Sequence, residues 1–313
     1  MQFIKPKFWD FKKPNLLSYL LLPFTIPIRI NNILLNLKSE KKNQKIKTIC
    51  VGNIYLGGTG KTPTTIKLYQ LLSQLGYEVI TAKKNYKDHL DEKFILEKKT
   101  ETIFLKDRTE IVNKAISMKK KILIFDDGLQ DKKIVYDIEF VCFDQKSWIG
   151  NGLLIPSGPL REKVNSLKKY SCIFLKINEG SVSNEVQLIK KINPNIKIFY
   201  THFKPVNIYK FDKSKKYVIF SGIGNPHDFK SLLIKNKLNI LDEFIYPDHY
   251  KYNENDISKI KNRANNLGAQ IITTEKDYVK ISPLDRENID FLEINLIIEN
   301  ENELKNFIEA KIS

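Results

Sequence analysis

The sequence predicts an α/β fold: a mostly parallel sheet flanked by helices, then a second, smaller α/β lobe. Three observations predict it. From residue 46 onward, short apolar runs alternate with stretches of helical periodicity, the pattern of parallel strands joined by crossover helices. A glycine-rich loop, Gly57-Gly58-Thr59-Gly60-Lys61-Thr62-Pro63, stands between the first apolar run and the first helical stretch. After an irregular passage over 179–214, the alternation resumes near residue 216. At 313 residues the chain is long enough to bury two cores.

The first element, residues 1–40, stands apart. Leu16-Leu17-Ser18-Tyr19-Leu20-Leu21-Leu22-Pro23-Phe24 is strongly apolar and continues through Ile26, Ile28 and Ile30, interrupted by Pro23 and Pro27. The uncharged stretch over 15–28 is too short to span a bilayer. The expectation is a helix lying in a membrane interface, with Lys12, Lys13 and Arg29 near the headgroups. The alternative is a helix packed on the domain. Lys and Asp recur through the first thirteen residues and no cleavage site follows, so no secretory signal is expected.

A core domain is expected over 41–178. Its strand-like runs are 46–51, 78–81, 103–105, 122–125, 138–143 and 172–175, with helical patterns over 62–75 and 108–119. The segment 152–170 breaks the rhythm with Gly152, Pro156, Gly158 and Pro159 and reads as a functional loop. Over 179–214, the runs 196–203 and 206–211 flank Lys204-Pro205 and suggest a two-stranded ribbon linking the lobes. The C-terminal lobe, 215–313, should carry strands at 217–220, 240–245, 270–273 and 289–296. Its helices should fall near 226–236, 253–267 and 301–311.

Net charge is +16, from 52 Lys and Arg against 36 Asp and Glu. That favours an anionic partner such as a nucleic acid, a membrane surface or a phosphorylated substrate, although the lysines are spread through the chain and many can simply solvate helix faces. Cys50, Cys142 and Cys172 all sit in strand-like runs without metal or redox spacing, and are expected to be buried thiols. The four histidines, His89, His202, His227 and His249, are too scattered for a zinc site.

A glycine-rich loop between strand and helix aims successive backbone N–H groups at one point, where the helix N-terminus adds positive potential. It therefore holds phosphates. The candidate nucleotide-binding run is Tyr55, Leu56, Gly57, Gly58, Thr59, Gly60, Lys61 and Thr62. Lys61 would reach the outer phosphates, and the Thr62 hydroxyl would ligate Mg²⁺. The full G-x-x-x-x-G-K-[ST] pattern has glycine where this chain has Tyr55. The lobe is thus a P-loop NTPase-like core.

Lys121-Ile122-Leu123-Ile124-Phe125-Asp126-Asp127 reads as a buried strand delivering a carboxylate at its C-terminal end, where open α/β sheets place ligands. Asp126 or Asp127 would hold Mg²⁺ beside Thr62; a turn-capping Asp is the alternative. In Gly158-Pro159-Leu160-Arg161-Glu162, Arg161 could neutralise a transferred phosphoryl group and Glu162 could complete a metal shell. In isolation the pair also reads as a surface ion pair. His249, in Pro247-Asp248-His249-Tyr250, is either a general base beside a carboxylate or a structural histidine. Asp91-Glu92 carries no distinctive pattern and reads as solvated. Ser221-Gly222-Ile223-Gly224-Asn225-Pro226 is a tight turn or a ligand contact. In Thr273-Thr274-Glu275-Lys276-Asp277 the threonines are plausible helix caps.

In this order, the motifs resemble the tetraacyldisaccharide 4′-kinase (lipid A 4′-kinase) family. The resemblance rests on Val51-Gly52-Asn53 with the glycine loop, on Asp126-Asp127-Gly128-Leu129-Gln130, and on Gly150-Asn151-Gly152 with Leu154-Ile155-Pro156-Ser157-Gly158-Pro159-Leu160-Arg161-Glu162. Phe220-Ser221-Gly222-Ile223-Gly224-Asn225-Pro226, Pro247-Asp248-His249 and Thr274-Glu275-Lys276-Asp277 complete it. These span about residues 50–280, and the loop without its first glycine is the family's own form. The resemblance implies transfer of the ATP γ-phosphate to the 4′-hydroxyl of a tetraacylated glucosamine disaccharide 1-phosphate, giving lipid IVA at the cytoplasmic face of the bacterial inner membrane. ATP and Mg²⁺ are the implied cofactors. An anionic membrane surface is the expected partner, with neither nucleic acid nor an obligate protein partner.

The family's catalytic aspartate lies in a Gly-Asp-Glu-Pro segment, matched here by Asp91-Glu92 without the flanking residues, and its partner histidine matches His249. The resemblance thus makes Asp91 the candidate base, assisted by His249, with Lys61 and Arg161 stabilising charge. The metal set is Thr62, Asp126, Asp127 and Glu162. Gln130, Thr274, Glu275 and Lys276 are further candidates. Two departures stand out: Ala82-Lys83-Lys84-Asn85-Tyr86-Lys87 replaces the family's Ser-Arg-Gly-Tyr-Gly, and Asp131 replaces a histidine. The rival readings are a nucleic-acid-stimulated P-loop ATPase and a non-catalytic nucleotide-binding membrane adaptor.

Overall fold

The computed structural model describes residues 5–37, 45–85, 90–131, 133–178 and 180–312. A 3-10 turn at Lys7–Asp10 precedes α1 (Leu16–Leu20), a second 3-10 turn at Leu22–Thr25 and α2 (Ile26–Leu37). Then come β1 (Lys47–Gly52), α3 (Lys61–Gln74), β2 (Val79–Lys84), α4 (Leu90–Lys99), β3 (Thr102–Leu105), α5 (Arg108–Ser117) and β4 (Ile122–Asp126). They are followed by β5 (Ile138–Asp144), β6 (Cys172–Lys176), α6 (Ser183–Ile192) and β7 (Lys197–Pro205). The chain closes with β8 (Lys216–Ser221), α7 (Pro226–Lys235), β9 (Asn239–Ile245), α8 (Glu254–Leu267), β10 (Gln270–Thr274), α9 (Glu275–Tyr278), β11 (Ile289–Leu292), β12 (Ile294–Ile298) and α10 (Glu301–Ile312).

Two compact units result. The larger takes the described residues within Lys5–Asn85, Lys99–His202 and Leu296–Ser313; the smaller takes those within Tyr86–Lys98 and Phe203–Asn295. The larger is built on an eight-stranded sheet of order β12-β7-β6-β5-β1-β4-β2-β3, parallel at every pair from β7 to β3. Both faces are covered, so its strands read as continuous apolar runs. On one face Cys50, Leu123 and Phe125 pack with Ile111, Val112 and Ala115 of α5. On the other, Ile49, Val51 and Ile124 pack with Leu68, Leu71 and Leu72 of α3 and with Leu304 and Ile308 of α10. The three cysteines are buried thiols, as expected.

The smaller unit is a four-stranded sheet, β11-β10-β8-β9, parallel throughout. Alternate residues of β8 face opposite helices: Tyr217 and Ile219 meet Phe229 and Leu233 of α7, whereas Val218 and Phe220 meet Ile257 and Ile260 of α8.

The expected domain limits cut across these units. The ribbon expected over 179–214 is absent: β7 joins the large sheet beside β6, and 206–211 contains only a 3-10 turn at Ile208–Lys210. The reason is a stronger competing partner. The Val206 N–H donates to the Glu293 carbonyl at 2.9 Å, and the Asn207 side chain donates to the Phe291 carbonyl at 2.8 Å and accepts the Glu293 N–H at 2.9 Å. That anchor also splits the apolar run over 289–296 at Glu293, leaving β11 in the small sheet and sending β12 to the large one. The last helix follows β12 and buries Leu304, Ile308 and Ile312 in the larger unit.

The N-terminal segment is two helices, because Pro23 falls in the 3-10 turn and Pro27 in the first turn of α2, where a missing N–H costs nothing. Polar residues tie it to the larger unit. Trp9 is buried and its indole N–H donates to the Pro156 carbonyl at 2.9 Å. Asn151 Nδ2 donates to Ser18 Oγ at 3.0 Å, and Asn32 Nδ2 to the Arg161 carbonyl at 2.9 Å. The apolar side chains stay outside: Leu16 is 77% exposed, Leu20 64%, Phe24 65% and Ile33 60%. No helix among the described residues is long and apolar enough to cross a membrane.

Candidate active site

The glycine loop leaves the C-terminal end of β1 and enters α3. Gly60 caps that helix with φ +82°, a left-handed conformation that glycine adopts without strain. Asn53 braces the turn from within: its Nδ2 donates to Thr59 Oγ1 at 2.9 Å and to the Gly57 carbonyl at 3.3 Å. Two members of the expected run are otherwise engaged. Tyr55 is buried against Leu154 and Leu160, and its hydroxyl donates to Asp10 at 2.9 Å. Burial and the Asp10 carboxylate push that phenol far above its usual range. The Leu56 N–H is spent on the Pro159 carbonyl at 2.8 Å. Tyr55 and Leu56 thus fasten the Gly57–Thr62 stretch to the loop that carries Arg161.

Asp126 and Asp127 end the neighbouring β4. Thr62 Oγ1 donates to Asp126 Oδ2 at 2.9 Å, and Thr65 Oγ1 to Oδ1 at 3.4 Å. A hydroxyl and a carboxylate oxygen so close are hard donors of the kind Mg²⁺ takes together with substrate phosphates, so this pair fits the ion. Among the described residues no group of three or more His, Cys, Asp or Glu is arranged to hold a metal.

Asp127 sits at φ +55°, strained for a residue with a side chain. It is held there from both sides: its N–H donates to the Val51 carbonyl at 2.8 Å, and its carbonyl accepts from buried Arg108 at 2.6 Å. Arg108 in turn pairs with Asp131, which gives the departure at 131 a local use. The Asp127 carboxylate accepts both oxygens' bonds from Arg161 Nη1, at 3.2 and 3.0 Å, and lies 3.7 Å from Lys61 Nζ. Burial pushes this carboxyl upward, but Lys61, Arg161 and Lys83 outweigh it, and its pKa ends below the ordinary value. The two cations expected to meet a phosphoryl group thus converge on one carboxylate.

Glu162, expected among the metal donors, has its carboxylate engaged by neighbouring side chains. Its buried carboxylate accepts from Tyr170 Oη at 3.0 Å, Gln130 Nε2 at 3.0 Å and Lys169 Nζ at 2.8 Å. With three donors in place it acts as a hub, because those hydrogen bonds already balance its charge. Gln130 links the hub to the phosphate site: Nε2 also donates to the Asn53 carbonyl at 2.9 Å, and Oε1 accepts from Arg161 Nη1 at 3.2 Å.

The smaller unit assembles a second cluster. Asp91 lies in the first turn of α4 and is 3% exposed, against the solvated position its local sequence suggested. His249 Nδ1 lies 3.1 and 3.0 Å from its two oxygens. Lys276 Nζ stands 3.6 Å from Asp91, 3.6 Å from Glu92 and 3.1 Å from Asp248. Burial raises the Asp91 pKa, but the His249 hydrogen bond and the Lys276 charge prevail and lower it to about 2. Burial opposes the charge on Lys276, yet Asp248, Glu92 and Asp91 drive its pKa upward. His249 has φ +59°. Gly222 makes room for its loop, since a Cβ there would stand 3.0 Å from the Pro247 carbonyl and from Tyr252 Oη. The Gly222–Gly224 turn is thus a seat for His249. Thr274 caps α9 by accepting the Asp277 N–H at 3.0 Å, Glu275 pairs with Lys98 at 3.1 Å, and Lys276 reaches the cluster. Tyr86 and Lys87 of the departing segment, and His89, lie outside the described residues.

Sequence reasoning overlooked Asn53 as a brace, Arg108, Tyr170 and Lys83. Lys83 carried a signal: it is the penultimate residue of β2, as Asp126 is the last of β4, and a charge near the C-terminal end of a buried parallel strand points toward the ligand edge.

Comparisons with known proteins agree with this geometry. A family model described as Tetraacyldisaccharide-1-P 4′-kinase matches residues 15–313. A tetraacyldisaccharide 4′-kinase of Pelagibacter ubique is 47% identical over 308 residues, covering 98% of this chain and 97% of the relative. One of Rickettsia akari is 34% identical over 329 residues, covering 99% and 98%. The crystal structure of LpxK from Aquifex aeolicus, described as an "apo" form in complex with ATP, matches with a TM-score of 0.69 at 22% identity, covering 95% of this chain and 100% of that one, and so shares the fold. A match over nearly the whole chain, joined to a glycine loop, a β4 aspartate pair and a histidine–aspartate cluster in the expected order, places this chain in the tetraacyldisaccharide 4′-kinase family.

Proposed function

We propose that this chain transfers the γ-phosphate of ATP to the 4′-hydroxyl of a tetraacylated glucosamine disaccharide 1-phosphate, a step of lipid A biosynthesis that gives lipid IVA. The observation that carries this reading is the convergence of Lys61 and Arg161 on Asp127 beside the Thr62–Asp126 pair. It supplies a phosphate cradle, a metal seat and two cations in one place. The cradle amides of Gly57 to Thr62 hold the phosphates, and Lys61 and Arg161 neutralise charge on the phosphoryl group in flight. Mg²⁺, held by Thr62 and Asp126, would supply further charge neutralisation across the phosphates.

In the smaller unit Asp91 accepts the hydroxyl proton and His249 orients its carboxylate. With its pKa lowered to about 2, Asp91 is ionised and ready to accept at neutral pH. A loose phosphoryl-transfer transition state asks little of the base beyond position. Lys276 balances the acidic cluster, so the added charge of Glu92 and Asp248 does not neutralise Asp91. Phosphate binding and acceptor activation are carried by separate units of the chain.

The substrate is acylated and the nucleotide is not, so the reaction belongs at a lipid–water interface. The outward apolar side chains of α1 and α2 support attachment there, and a net charge of +16 suits anionic headgroups and the substrate's 1-phosphate. The cytoplasmic face of the bacterial inner membrane, where ATP is available, is the proposed location. The test is purified full chain with labelled ATP, Mg²⁺ and the disaccharide monophosphate lipid in detergent. Label should pass to the lipid. No labelled lipid, under conditions where the Pelagibacter ubique relative is active, overturns the reading. ATPase activity stimulated by nucleic acid in its place favours a different P-loop function.

A further inference from the structure

Lys83 lies beside the residue proposed to hold Mg²⁺. β2 pairs with β4 in parallel, with Ala82 opposite Phe125, so the next residues along, Lys83 and Asp126, emerge together at the C-terminal edge. Lys83 Nζ is 2.6 Å from Asp126 Oδ2, the same oxygen that accepts from Thr62. Both side chains are buried. A buried carboxylate without a counter-charge is strongly unfavourable, and an ammonium at this distance removes that penalty. The oxygen expected to meet the metal is therefore already neutralised by a group of this chain's own, in a segment where the chain departs from its family's pattern.

We infer that Lys83 is a resident cation of the metal site, which competes with Mg²⁺ for Asp126 Oδ2 and so raises the Mg²⁺ concentration the enzyme needs. The inference rests on the reading of Thr62 and Asp126 as the metal seat. Two like charges cannot share one carboxylate oxygen in a buried site without repulsion. The ammonium has to withdraw from Oδ2 for the ion to bind, and the four-carbon stem of lysine allows that movement.

The experiment is thermal unfolding of the full chain with a non-hydrolysable ATP analogue, titrated with Mg²⁺, which reads metal binding without turnover. Lys83→Met should unfold at lower temperature than wild type without Mg²⁺. It should regain stability on titration, with a midpoint about tenfold below wild type. Lys83→Arg, which keeps the charge, should keep the wild-type midpoint. Where Lys83→Met fails to fold, Lys83→Gln retains a donor to Oδ2 and should also lower the midpoint. Asp126→Asn separates the two readings. If it leaves the Mg²⁺ midpoint unchanged, the metal seat is misassigned and the inference falls with it. If it raises the midpoint while Lys83→Met and Lys83→Gln leave it unchanged or raise it, the seat stands and the inference about Lys83 is overturned. In the Asp126→Asn background Lys83→Met should have no further effect on the midpoint.

Discussion

Replacing Lys61 with alanine removes one of the two cations that meet at Asp127. The expected result is a fall in kcat/KM of about 10²–10³-fold, the usual cost of a lost donor to developing charge, read in the labelled-ATP assay. Arg161→Lys keeps charge but cannot bond Asp127 and Gln130 in the same planar way, so part of that loss should appear there too. Asp91→Asn should lower kcat by about 10²–10⁴-fold and leave nucleotide binding nearly unchanged; full turnover in that variant would show that the base lies elsewhere. Asp91 also has a pH signature. Its folded-state pKa of about 2 lies below the ordinary 3.8, so its contribution to stability is present above that ordinary value and is lost as pH falls toward 2. The stability gap between wild type and Asp91→Asn, roughly 2 kcal/mol at most, should close between about pH 4 and pH 2 in denaturant titrations. The surroundings of Asp91 were not legible in its local sequence, because His249 and Lys276 come from distant parts of the chain. Lys61 was legible, because its glycines, its strand and its helix are all neighbours in sequence.

At the scale of elements, the glycine loop works because Gly60 takes a left-handed conformation at the start of α3. Gly60→Ala should cost about 1 kcal/mol of stability and raise KM for ATP, since the cradle amides would turn away from one another. The N-terminal helices make the opposite use of local chemistry. Their polar residues Ser18 and Asn32 face the protein, whereas Leu16, Leu20, Ile26, Ile30 and Ile33, with Phe24 of the intervening turn, are exposed. Phe24→Glu with Ile33→Glu should abolish most co-sedimentation with lipid vesicles while changing unfolding free energy by no more than about 0.5 kcal/mol. A large loss of stability would instead mark these side chains as packed core. The apolar run itself was plain in the sequence. Which side of it faces the protein was not, because Asn151, Pro156 and Arg161, the partners that decide it, lie more than a hundred residues away.

For the whole molecule, the excess of lysine and arginine would make the proposed interfacial binding a sum of two forces. Vesicles containing anionic lipid should bind more tightly than neutral ones. That difference should shrink as salt rises from low to about 0.5 M, where the Debye length falls to a few ångströms, leaving the apolar part. Binding that is insensitive to both salt and lipid charge would show that the charge only solvates the surface. The sequence by itself determined the α/β class, the phosphate loop, the β4 carboxylates and the order of motifs. These depend on hydrophobic period and on short-range turn chemistry, which the chain states locally. Only the tertiary structure decided where the units divide. The anchor between Asn207 and Phe291–Glu293 closes a loop of more than eighty residues, and no local pattern announces it. Only the tertiary structure, likewise, buried Asp91 beside His249, joined Glu162 to Gln130, and set Lys83 on Asp126. Each of those is a pairing of charged or polar groups brought out of water together, and what makes such burial favourable is a partner that the sequence places far away.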